Sequence, residues 1–210
     1  MQEHRITVSR SARYFTLGRA EREVWFVLHG YGQLAARCLR HFEPLDDGTR
    51  LIVAPEGLSR FYLTEDPAER RVGASWMTKE DRLAEIDDYV RYLDAVYVAV
   101  VGSSRARVTV LGFSQGAATA CRWTTLGASK VARLIVWGGE VPPDLDIKTL
   151  QARRLSLVYG SHDEYFTPKV VAATEARLRE QGVPYELVPF DGGHEINGPL
   201  LKKLALTTDG

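Results

Sequence analysis

Cysteine is scarce in this 210-residue chain, with only Cys38 and Cys121 present. The two lie far apart in segments of helical character and form no C-x-x-C spacing, which argues against a disulfide framework or a zinc site. An excess of either charge is also missing, because Lys plus Arg and Asp plus Glu both number 27. No net field therefore draws the chain to nucleic acid, to an anionic membrane or to a polyanion, and a neutral or locally recognised small molecule fits better as partner. No apolar run is long enough to span a bilayer, and the opening MQEHRITVSR lacks the apolar stretch of a secretory signal. A cytoplasmic location without stable membrane insertion is the default expectation. Internal repeats and low-complexity linkers are absent as well. Nothing sets the oligomeric state, and the sequence is compatible with a homo-oligomer.

What is present is the composition of an ordinary globular domain, 45% hydrophobic and 26% charged. The length suits one domain over residues 1 to 210. Short apolar runs recur at Val24 to Leu28, Leu51 to Ala54, Val108 to Phe113, Leu134 to Trp137, Leu155 to Tyr159 and Tyr185 to Phe190. Such runs are expected of strands buried on both faces. Ile6, Val8, Tyr14, Phe15 and Leu17 predict a short N-terminal hairpin at a sheet edge. Between the strands lie stretches of helical period, the clearest over 79–101, with Thr78 as its expected N-cap. Thr167-Pro168 predicts a second helix start, with the helix ending near Gly182. Alternating strands and helices give an α/β fold, a mostly parallel central sheet with helices on both faces. Two longer connections, 55–77 and Gly138 to about Ala152, interrupt the alternation, and neither is long enough for a large lid domain.

Chemistry concentrates in Gly112-Phe113-Ser114-Gln115-Gly116, a G-x-S-x-G motif directly after a strand and before a helix of small residues. At a sharp strand-to-helix turn a serine hydroxyl projects above the sheet, and the helix N-terminus favours developing negative charge. A hydroxyl is a poor nucleophile near neutral pH, so a neutral imidazole must accept its proton. His194, in the loop Asp191-Gly192-Gly193-His194-Glu195, is the expected base, and Asp163, just past the strand Leu155 to Tyr159, the expected carboxylate that orients it. Glu164, Asp191 and Asp144 are rival carboxylates. Asp191 and Glu195 sit too close in sequence to His194 to be the expected partner on a separate strand, and Asp144 is a real but weaker competitor. His29-Gly30-Tyr31-Gly32 is an H-G-x-G loop whose backbone can point N–H groups at an oxyanion, and Tyr31 and Gln115 are the expected donors. The connection 55–77 leaves the same sheet edge, so Phe61, Tyr62, Trp76 and Met77 are candidates for an apolar substrate pocket and Arg60 for a polar contact.

Together, Leu28-His29-Gly30-Tyr31-Gly32, G-F-S-Q-G at 112–116, Gly160-x-x-Asp163 and Gly193-His194 resemble the phospholipase/carboxylesterase family, which includes the acyl-protein thioesterases. The likeness covers nearly the whole chain. It implies a compact, largely lidless α/β-hydrolase fold that cleaves carboxylic esters or thioesters without cofactor or metal. Two departures stand out: Gln33-Leu34-Ala35-Ala36 follows the H-G-x-G loop where the thioesterases usually carry an acidic or small polar run, and their W-[FY]-D pattern is lacking around residues 59–77. A serine carboxylesterase acting on small soluble esters is the leading expectation. An acyl-protein thioesterase or lysophospholipase is the alternative, and a ligand-binding homologue with negligible turnover is a third reading.

Overall fold

In the computed structural model, residues 1–19, 22–151 and 153–207 are described. Among these residues nine strands form in chain order: β1 Tyr14–Gly18, β2 Glu23–Leu28, β3 Arg50–Pro55, β4 Ser59–Tyr62, β5 Val72–Ser75, β6 Arg107–Phe113, β7 Arg133–Trp137, β8 Arg154–Gly160 and β9 Glu186–Phe190. Five α-helices accompany them: α1 Ala35–Leu39, α2 Arg82–Val101, α3 Gln115–Leu126, α4 Pro168–Glu180 and α5 Gly198–Leu206. The main sheet has seven strands in the order β1-β3-β2-β6-β7-β8-β9. Only β1 runs antiparallel, against β3 at the sheet edge, and every other neighbouring pair is parallel.

The continuous apolar runs follow from burial on both faces. Along β2, Val24, Phe26 and Leu28 enter one core with Tyr89 and Leu93 of α2 and Trp123 of α3. The intervening Trp25 and Val27 point the opposite way, to Phe42 and to Leu201 and Leu204 of α5. Alternation is thus present in direction but hidden in composition.

Several local expectations need correction. The N-terminal hairpin does not form, since Ile6 and Val8 are 88% and 73% exposed and only β1 pairs. Neither side chain has a core to enter, so their β-branching stabilises nothing. The helix predicted over 79–101 begins at Arg82 with Asp81 at the N-cap. Thr78 does not cap it; its backbone N–H instead donates to the Glu85 carboxylate at 2.5 Å. Thr167 does occupy the N-cap of α4, ahead of Pro168, although its hydroxyl makes no capping bond. The connection 55–77 contains the β4–β5 hairpin. The stretch after β7 is built of turns and a 3-10 helix, Ile147–Leu150, with no large lid among the described residues. Ala152, the far end of that predicted stretch, lies outside them.

Candidate active site

The C-terminal edge of the parallel strands gathers the chemistry-bearing side chains. At the end of β6 the backbone turns through Ser114, with φ 55° and ψ −119°, directly into α3. That conformation costs a non-glycine residue on the order of 1–3 kcal/mol, so its surroundings must enforce it. They do so by close backbone approach. A Cβ on Gly112 would lie 2.1 Å from the Gly116 carbonyl oxygen, and one on Gly116 would lie 2.2 Å from that of Leu28. The Ser114 N–H is fixed by the Trp137 carbonyl at 2.9 Å. Both glycines of the pentapeptide are therefore steric requirements of the turn that presents the hydroxyl.

Asp163 and His194 meet across two loops. Ser161 and His162 N–H groups, just past β8, donate to the Phe190 and Gly192 carbonyls at 2.9 Å each. This stitching brings His194 Nδ1 to 2.8 Å from Asp163 Oδ2. The other carboxylate oxygen, Oδ1, accepts the N–H groups of Tyr165 and Phe166 at 2.8 Å each. Burial of Asp163 opposes its ionisation, yet those two N–H groups and the His194 ring outweigh it and hold the carboxyl below its usual range. An ionised Asp163 is matched by an N–H at Nδ1, and in the neutral tautomer with that N–H it is Nε2 that can accept a proton. The imidazole is held between Phe113 and Tyr165, each with ring centroids 4.9 Å away. Ser114 and His194 line the same cleft of about 670 Å³, whose apolar walls include Phe113, Phe166 and Val170.

Two of the rival carboxylates stand elsewhere. Asp144 bridges Arg82 at 2.7 Å and Arg122 at 3.2 Å, and Asp191 is an exposed neighbour of His162.

Tyr31 and Gln115 also line the cleft. In the H-G-x-G loop the Gly30 N–H donates to Gln33 Oε1, the Gly32 N–H to the Ala74 carbonyl and the Gln33 N–H to the Gly30 carbonyl. The Tyr31 N–H finds no acceptor among the described residues. Gln115 begins α3, where a backbone N–H has no partner within the helix. His29 is structural: its Nε2 accepts the Gly57 N–H at 2.9 Å, and burial lowers its pKa, opposed by the Gly30 carbonyl and Glu56.

The substrate-contact expectations fare differently. Trp76 is 2% exposed, stacks on His29 and donates through Nε1 to the His29 carbonyl at 2.8 Å, so it is a core residue beneath the loop. Arg60 faces away from the cleft, paired with the buried Glu56. Phe61 packs on the Tyr31 ring, and the exposed Tyr62 lies under Arg70. None of these four lines the cleft, because the hairpin, which carries Arg60, Phe61 and Tyr62 and is followed directly by Trp76, folds back onto the H-G-x-G loop through the Gly32 and Gln33 pairing with Ala74. Met77 lines an adjoining pocket of about 350 Å³. Sequence reasoning missed Tyr165 and Glu140 in the cleft and Lys79, Arg82 and Arg122 in that second pocket. It also missed the Gln115 side chain, which ties the loop after β5 down by accepting the Trp76 N–H and donating to the Met77 carbonyl. A signal for Arg122 existed: positions 115, 118, 119 and 122 share one face of α3.

Among the described residues no group of three or more His, Cys, Asp or Glu is placed to hold a metal ion, and no helix is long and apolar enough to cross a membrane. No protein-family model matches the chain, and no curated protein matches it in sequence. Solved structures do. A carboxylesterase from Mesorhizobium loti superposes with a TM-score of 0.74 at 21% identity, covering 94% of this chain and 95% of that one. Acyl-protein thioesterase 2 of Zea mays gives 0.72 at 16% identity, with 92% and 96% covered. SOBER1 of Arabidopsis thaliana gives 0.67 at 19% identity, with 88% and 96% covered. At these identities the likeness establishes architecture, and the architecture of this chain is the α/β-hydrolase fold.

Proposed function

We propose that the protein is a serine carboxylesterase in which Ser114 is the nucleophile, His194 the general base and Asp163 the group that orients His194. The observation that carries this reading is the 2.8 Å contact between His194 Nδ1 and Asp163 Oδ2 beside the strained Ser114 turn. In this reading residues 1 to 210 act as one catalytic unit.

His194 Nε2 takes the Ser114 hydroxyl proton as Oγ attacks the ester carbonyl. The N–H groups of Tyr31 and Gln115 receive the resulting oxyanion, and each such donor is typically worth about 3–4 kcal/mol in the transition state. Collapse expels the alcohol, which leaves with the proton from imidazolium Nε2, and a water activated by the same nitrogen then hydrolyses the acyl-enzyme. Side chains and backbone supply every proton and charge contact in this sequence, so it draws on no metal or cofactor. Preference for small esters is supported by the open, lidless cleft and its short apolar wall.

Initial rates on 4-nitrophenyl esters from acetate to palmitate test the proposal. Activity on the short esters that vanishes in Ser114→Ala is the expected result. A steady rise toward palmitate would favour the deacylase reading instead, and equal rates in both proteins would end the serine mechanism. Turnover negligible with every ester would point to a ligand-binding homologue.

A further inference from the structure

Next to the cleft, and sharing Gln115 and Ala118 with it, lies the pocket lined by Met77, Thr78, Lys79, Arg82, Thr119 and Arg122. Three of its residues are cationic and, among the described residues, none of its lining is acidic. The adjacent Asp144 divides itself between Arg82 and Arg122, so one carboxylate faces two guanidiniums. Of the other nearby acids, Glu85 accepts from Thr78 at the pocket rim, and Asp81 pairs with Arg5.

Arg122 is the informative member. It is 7% exposed, and its Nε is buried with no hydrogen-bond partner among the described residues. A buried, unsatisfied guanidinium nitrogen is costly unless something completes its coordination. The Tyr89 hydroxyl, buried likewise, lies against the Arg122 guanidinium. Lys79, exposed at the mouth, has no ion-pair partner among the described residues. A pocket lined by three cations and no acid, one of them with an unpartnered guanidinium nitrogen, is complementary to an anion, and a guanidinium suits a carboxylate or phosphate in particular.

We propose that Lys79, Arg82 and Arg122 form an anion subsite beside Ser114, which selects esters carrying a carboxylate or phosphate away from the scissile bond. This rests on the esterase reading and adds the substrate's charge to it. Glu140, on the main cleft, repels an anion there and so favours its placement in the side pocket. The overall neutrality of the chain conceals this local field.

Matched substrate pairs test it on each side of the ester. On the acyl side, 4-nitrophenyl hydrogen glutarate is compared with its neutral isostere 4-nitrophenyl 5-methylhexanoate. On the alcohol side, the butyryl ester of 4-hydroxyphenylacetate is compared with that of 4-isobutylphenol. In one of the two pairs the anionic ester should have the higher kcat/KM. That ratio should fall roughly tenfold in Lys79→Gln/Arg82→Gln, each solvent-accessible contact being worth a factor of about 2–5. It should also shrink at 1 M salt and stay put in the distant control Lys202→Gln. Arg122→Gln is included with its melting temperature, and if it fails to fold the surface variants decide alone.

Calorimetric titration of Ser114→Ala with glutarate and with inorganic phosphate reads the pocket without turnover. Saturable binding lost in the double variant is expected. Ester hydrolysis without charge preference in either pair, together with no anion binding, overturns the subsite and leaves the esterase reading standing. Anion binding without hydrolysis of any ester does the reverse.

Discussion

Replacing Asp163 by Asn separates a triad from an incidental contact. Asp163 Oδ1 accepts the Tyr165 and Phe166 N–H groups at 2.8 Å each, while Oδ2 faces His194 Nδ1 at 2.8 Å. An asparagine must keep its carbonyl oxygen on the two N–H donors, since its amide N–H groups would meet donors there. Its NH2 then points at Nδ1, which can pair with it only as an acceptor, so the ring proton moves to Nε2. An Nε2–H imidazole cannot take the Ser114 proton. The expected loss in kcat is about 10⁴-fold, or about 5 kcal/mol of transition-state stabilisation. Shape is nearly unchanged, so the melting temperature should move by only a few degrees. Initial rates on 4-nitrophenyl butyrate, with thermal melts on the same samples, provide the assay. Retention of more than about a tenth of kcat would refute the tautomer reasoning. So would a comparable collapse in Asp144→Asn, whose carboxylate serves Arg82 and Arg122 instead.

Other consequences follow from packing and ionisation. Gly112→Ala sets a methyl group 2.1 Å from the Gly116 carbonyl oxygen; a loss of roughly 3 kcal/mol, about 6–12 °C in melting temperature, is expected, and an unchanged melt would contradict the close-approach account. Gln115→Ala frees the segment around residues 75–77 from its clamp, so limited proteolysis should cut there sooner and kcat should fall by roughly tenfold; identical digestion patterns would count against the clamp. His29 is buried with its pKa lowered from 6.5, so the unfolded chain binds the proton more readily. Its contribution to stability is complete above pH 6.5 and is lost as the pH falls below that value, at up to about 1.4 kcal/mol per pH unit. Urea melts between pH 5 and 8 on wild type and His29→Asn should show that slope only in wild type.

Those predictions rest on features of unequal legibility. The buried strands announced themselves as apolar runs because a parallel sheet covered on both faces leaves no polar alternation to obscure them. Ser114, Asp163 and His194 were equally visible, each following a strand whose C-terminal end the periodicity already located. Trp76 was not. Its aromatic ring reads the same whether it meets a substrate or stacks on His29, and only the Gln33–Ala74 bridge decides between them. The N-terminal hairpin failed for a related reason, because alternating Ile6 and Val8 describe a strand only if one face has a core to cover, and both stay exposed. Helix α5 escaped notice although Asn197 caps it through the Leu200 N–H and Pro199 sits in its first turn. The cationic pocket joins residues 79, 82 and 122, and no local window contains all of them.

The most direct test of the central claim is covalent labelling with a fluorophosphonate followed by peptide mass mapping. The account predicts a single phosphonylated peptide, modified at Ser114, with labelling abolished in Ser114→Ala and strongly slowed in Asp163→Asn and His194→Ala. Labelling of Ser114→Ala at the wild-type rate, or a wild-type protein that does not react, would contradict it.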